Sequence, residues 1–94
     1  MIEFKHIDGD NGRKIILYAL STCGWCRKAK KILSKLGMAY DYVDADLVDE
    51  KTSKEIEKEV TKWAKKEIYP TLVIDNKIGF LATDLDKVKK ALGK

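Results

Sequence analysis

Ninety-four residues bound a single domain with one core and leave too little chain for two. With 45% hydrophobic and 36% charged residues the composition is ordinary for a folded chain in water, and no stretch reaches the about 18 apolar residues of a membrane span. The net charge of +4 comes from 19 Lys and Arg interleaved with 15 Asp and Glu, without the aromatic-studded basic stripe that nucleic acid would select.

At the N-terminus, Met1 to His6 mixes acid and base and lacks the apolar centre of a signal peptide, so a cytoplasmic location is expected. Ile2, Phe4 and His6 alternate with Glu3 and Lys5, which predicts an extra strand over residues 2–7. The turn cluster Gly9-Asp10-Asn11-Gly12 would join it as a hairpin to a strand over residues 13–19, so residues 1–12 read as an extension of the domain. This second strand is a continuous apolar run, as expected where both faces are covered.

From Trp25 the period changes. Ala29, Ile32, Leu33 and Leu36 share one helical face, and Gly37 supplies a stop. Arg27, Lys28, Lys30, Lys31 and Lys35 lie off that stripe and read mainly as solvated outer-face residues. Tyr40 to Asp44 alternates like a strand. Thr52 or Ser53 is expected to cap a second helix with Ile56, Val60, Trp63 and Ala64 inside. Pro70 then precedes a strand over residues 71–75, a turn at Asn76 and a return strand over residues 77–81. Thr83 or Asp84 caps the last helix, which buries Leu85, Val88, Ala91 and Leu92 and closes at Gly93. The order predicts an α/β fold: a small mixed sheet of four strands, plus the extra one, with helices on both faces.

The chemistry is concentrated in Cys23-Gly24-Trp25-Cys26, which holds both cysteines of the chain. A cysteine at a helix N-terminus faces unpaired backbone N–H groups and the positive end of the helix dipole, and both favour thiolate. Cys23, first on the helix, is expected to be the nucleophile; Cys26, one turn inside, the resolving thiol that closes an intramolecular disulfide. A structural disulfide across four residues would stabilise little. Zinc within one chain needs four ligands, and only His6 is available beside the two thiols. A cluster bridged between two chains is the metal alternative. His6 reads as a strand residue rather than a base.

The strand leading to Cys23-Gly24-Trp25-Cys26-Arg27, the helix after it, Tyr69-Pro70-Thr71 and Gly79-Phe80 together resemble the glutaredoxin and thioredoxin superfamily. The resemblance implies a thioredoxin-like fold, a cis Pro70 beside the cysteines, and a dithiol–disulfide oxidoreductase whose redox centre is the Cys23–Cys26 disulfide with no other cofactor and no metal. It implies substrate contacts at Gly24, Trp25, Arg27, Tyr69, Pro70, Thr71, Gly79 and Phe80. Leu20 stands where glutathione-using members carry Lys, Phe80 replaces the second Gly of their Gly-Gly turn, and Asp84 comes one residue late. The chain is therefore closer in character to the thioredoxin-reductase-dependent redoxins. Its expected partners are protein disulfides and a flavin- or ferredoxin-linked disulfide reductase, with glutathione disfavoured, no nucleic acid, no membrane, and a monomeric state. A glutathione-dependent glutaredoxin, or an Fe–S or zinc carrier bridged by Cys23 of two chains, are the alternatives.

Overall fold

Five strands and three helices alternate along the chain: β1 (Lys5–Ile7), β2 (Ile15–Ala19), α1 (Gly24–Lys35), β3 (Tyr40–Asp44), α2 (Glu50–Ala64), β4 (Thr71–Ile74), β5 (Ile78–Leu81) and α3 (Leu85–Leu92). The computed structural model describes residues 2–93. Because β2 is apolar at every position, it occupies the centre of a sheet ordered β1-β3-β2-β4-β5. It runs parallel to β3 and antiparallel to β4, and β5 pairs antiparallel with β4.

The two-residue period of β2 separates two layers. Ile15, Leu17 and Ala19 pack with Cys26, Ala29 and Leu33 of α1 and with Val88 and Leu92 of α3. Ile16 and Tyr18 face the other way, against Ile56, Val60 and Trp63 of α2. Enclosing one Leu side chain as completely as Leu17 contributes about 2–3 kcal/mol, so this one strand anchors both layers. The predicted mixed sheet with helices on both faces is the observed fold.

One expected pairing is not made. β1 forms no hairpin with β2; it pairs antiparallel with the outer edge of β3, Lys5 opposite Tyr42 and Ile7 opposite Tyr40. Both edges of β2 are already taken, so the edge of β3 is the one open to it. To get there the chain crosses the α1–β3 connection, where Asp10 N–H donates to Gly37 O (2.7 Å) and Ala39 N–H donates to Asp10 O (2.9 Å). Gly9 makes this crossing possible, since a Cβ there would lie 2.7 Å from both Gly37 O and Ala39 N.

Element ends follow their caps. α2 begins at Glu50, not at Thr52 or Ser53, because the Asp49 carboxylate accepts the Thr52 N–H at 2.7 Å. β2 begins two residues later than predicted, for Arg13 and the Lys14 N–H are held by the Asp75 carboxylate. Asp84 caps α3, and Gly37 and Gly93 take left-handed φ after α1 and α3 as expected. Asp75 and Asn76, both with positive φ, make the β4–β5 turn.

Gly79 has a role that the sequence did not reveal. A Cβ at this position would sit 2.5 Å from the Trp63 Cβ and 2.8 Å from its Cγ, so β5 touches α2 through a bare backbone. Gly79→Ala is expected to cost about 1–3 kcal/mol in urea unfolding, and less in a Trp63→Gly background, which removes the Trp63 Cβ together with the ring. An equal cost in both backgrounds would contradict the contact.

His6 lies exposed on β1 with Nδ1 2.7 Å from an Asp41 carboxylate oxygen and Nε2 3.1 Å from Asp8. The hydrogen bond to Asp41, aided by the charges of Asp41 and Asp8, raises its pKa above 6.5. Its stabilising contribution is complete below 6.5 and disappears as pH rises through the raised value. A proton NMR titration should place His6 above 6.5 and show Asp41→Asn lowering it. An unshifted His6 in the unsubstituted protein would contradict the pairing.

Candidate active site

The parallel strands β2 and β3 end at the same edge of the sheet, and antiparallel β4 begins there, with Thr71 opposite Tyr18. That edge receives the N-terminus of α1 and the segment before β4, so Cys23, Cys26, Tyr69 and Pro70 meet by topology. Cys23 is itself the N-cap of α1: in extended conformation, its Sγ accepts the Cys26 N–H at 3.2 Å. A sulfur thus takes the place usually filled by a Ser or Asp oxygen. The first turn of α1 contains no acidic residue, which leaves the positive end of the helix dipole to act on Cys23.

The two thiols, both free, differ sharply in environment. Cys23 is partly exposed, whereas Cys26 is wholly enclosed in the core shared with Leu17, Ala19 and Leu72. Burial pushes the Cys26 thiol up to about 12, helped by its hydrogen bond with Cys23 and opposed by the Leu20 N–H, which donates to its Sγ at 3.4 Å.

A clamp that the sequence reading missed holds the loop before Cys23. The Ser21 N–H and hydroxyl both donate to the Asp46 carboxylate, at 2.8 and 2.5 Å, and these bonds keep Asp46 ionised to lower pH than usual. The parallel β2–β3 pairing was the available signal, because loops after neighbouring parallel strands emerge side by side. Lys30 likewise departs from its expected solvated place. It is three-quarters buried, and its ammonium lies 3.1 Å from the Asp44 carboxylate and 4.2 Å from the Tyr42 ring centre.

The remaining predicted contacts divide. Gly24 opens α1 with free space where a side chain would stand, and Trp25 is half exposed with the Lys28 ammonium 4.6 Å over its ring. Arg27 is exposed on α1. The Tyr69–Pro70 bond is cis, and half-buried Tyr69 packs against both cores, its hydroxyl pushed up to about 12 chiefly by burial. Pro70 is buried, and its carbonyl accepts the Ala82 N–H. Thr71 is fully enclosed and spends its hydroxyl on Ile68 O at 2.8 Å, so it braces the turn from inside. Gly79 faces Trp63 and α2. Phe80 packs on the α1–α3 side under the Lys87 ammonium. The Thr71 side chain is thus turned into the core, and the side of Gly79 where a Cβ would stand packs on Trp63.

A mixed five-stranded sheet with a Cys-x-x-Cys pair capping a helix and a cis proline beside it defines a redoxin of the thioredoxin superfamily. The glutaredoxin family model matches residues 15–78, and the chain belongs to that family. The match ends just before Gly79-Phe80. The chain is 33% identical to the glutaredoxin from Methanosarcina mazei Go1, whose structure superposes with a TM-score of 0.90 over 97% of this chain and 88% of that one. It is 32% identical to Methanosarcina acetivorans methanoredoxin, with a TM-score of 0.82 over 93% of this chain and all of that one. Among curated relatives, Glutaredoxin 1 of Rickettsia prowazekii is 37% identical over 66% of this chain, which spans 62% of that protein. Among the described residues no helix is long and apolar enough to cross a membrane.

Burial closes Cys26 to reagents from solvent in the reduced folded protein and pushes its thiol up, away from thiolate. Iodoacetamide is expected to alkylate Cys23 alone in the native reduced protein, and neither thiol in native Cys23→Ser until denaturant is added. Intact mass reads the result; equal labelling of both cysteines would contradict it.

Proposed function

We propose that this chain is a dithiol–disulfide oxidoreductase that reduces protein disulfides, with Cys23 as nucleophile and Cys26 as resolving thiol. The observation that carries the reading is the asymmetry of the pair: an accessible sulfur capping α1 beside a sulfur sealed in the core. The Cys23 thiolate attacks one sulfur of a substrate disulfide, and the other leaves as a thiolate. Cys26 then attacks Cys23 Sγ, the second substrate sulfur leaves, and two electrons have passed to the substrate. The Cys23–Cys26 disulfide is the only redox centre this cycle needs. The reduction step fits a reducing compartment such as the cytoplasm.

A flavin- or ferredoxin-linked disulfide reductase, rather than glutathione, would return the electrons. Two features favour this choice. Leu20 offers no charge to a glutathione carboxylate, and where glutathione-using members carry a Gly-Gly turn this chain has Gly79-Phe80 within strand β5.

The test is insulin reduction under each recycling system. Activity is expected with a disulfide reductase and not with glutathione plus glutathione reductase. Cys23→Ser should abolish it, and Cys26→Ser should accumulate a mixed disulfide on Cys23. Turnover that survives Cys23→Ser would sink the assignment.

A further inference from the structure

The charge of this chain is unevenly placed. α1 carries Arg27, Lys28, Lys30, Lys31 and Lys35 and no acid, more positive charge than the +4 of the whole molecule. α2, on the opposite face of the sheet, alternates Glu and Lys so evenly that its charges cancel. On the α1 face, α3 packs into the same core layer and adds exposed Lys87, Lys89 and Lys90 against Asp84 and Asp86.

Helix stability does not account for this composition. Like charges three or four residues apart weaken a helix, and Arg27 stands in the first turn, where the dipole opposes a cation. Lys30 is spent on Asp44, but Arg27, Lys28, Lys31 and Lys35 are exposed and, among the described residues, enter no ion pair. The stripe is also in line with the reactive sulfur. From Cys23, the N-cap, steps of four residues reach Arg27, Lys31 and Lys35 in turn, about 6, 12 and 18 Å along the axis at about 1.5 Å per residue. A small molecule held at Cys23 Sγ cannot span that distance; a protein segment can. Nucleic acid fits less well, having no sulfur for Cys23 to attack and finding no aromatic ring on α1 beyond Trp25.

We propose that the exposed cations of α1 form a docking stripe for substrate proteins whose disulfide lies close to acidic side chains. Carboxylates beside a disulfide repel an attacking thiolate, so such bonds react slowly with small anionic thiols. Arg27, Lys31 and Lys35 replace that repulsion with attraction over the length of the helix and steer the acidic segment onto Cys23. An extended chain advances about 3.3 Å per residue, which puts the matching acids about four to six residues from the substrate cysteine. The stripe names a substrate class for the dithiol–disulfide oxidoreductase reading, on which it rests.

The reduced full-length protein is mixed in stopped flow with fluorescence-quenched peptides closed by an internal disulfide, carrying either Glu or Gln at those positions. The Glu peptide should be reduced about tenfold faster than the Gln peptide at about 0.01 M salt, where charges act across about 30 Å. The advantage should vanish at about 1 M, where they act across about 3 Å. Lys31→Glu with Lys35→Glu should bring the low-salt ratio to one or below. Lys51→Glu with Lys58→Glu, on α2, changes the net charge equally and should keep the ratio well above one. Each ratio is taken within one protein, so a partial loss of folded material cancels. A ratio near one in the unsubstituted protein overturns the proposal, in favour of nucleic acid if a single-stranded oligonucleotide then binds with a steep salt dependence. An equal fall in both double variants overturns it as well, and either result leaves the oxidoreductase reading in place. Failure to reduce either peptide removes that reading, and the proposal with it.

Discussion

The bond from the Cys26 N–H to Cys23 Sγ ties the backbone of the core to the reagent at the surface. It can form because Cys23 stops α1 in extended conformation while Cys26, three residues on, is already one of the helix's buried positions. The helix is aimed by Ala29 and Leu33 against β2, and β2 is in turn fixed by having both faces apolar. The position of Cys23 thus follows from the packing of the middle of the sheet. No loop has to be ordered separately beyond the short Leu20–Thr22 segment, which Asp46 clamps.

The same packing limits what the site can hold. Trp63 lies so close to β5 that only glycine fits at residue 79, and Thr71 turns its hydroxyl inward to the Ile68 carbonyl. The Thr71 hydroxyl and the Trp63-facing side of Gly79 thus join layers. At the surface Trp25 stays half exposed under the Lys28 ammonium, and the Lys87 ammonium lies over Phe80.

Much of this was legible in the sequence, because it depends on period and on punctuation. The continuous apolar run ending at Ala19 and the helical stripes of residues 29–36 and 56–64 specify which faces are buried, and Gly37, Pro70, Asn76 and Gly93 mark where elements stop. The hairpin expected from Gly9-Asp10-Asn11-Gly12 failed for a different kind of reason. Turn residues report that the chain reverses, not which strand edge is vacant when it does. Lys30 and Asp46 were missed for a related cause. Their partners, Asp44 and Ser21, are distant in sequence, and a lysine beside an apolar stripe looks the same whether its ammonium reaches water or a buried carboxylate.

The two tryptophans sit in separate compartments. Trp25 lies between the cysteines and is half open to solvent, whereas Trp63 packs from α2 onto Gly79 of β5, on the opposite face of the sheet from α1. Each indole therefore senses a different event. Emission from Trp25 is placed to register changes at the two thiols that flank it, while Trp63 registers separation of α2 from the sheet. Replacing one indole at a time makes the molecule its own optical reporter, with redox chemistry and unfolding read on independent channels and no added dye.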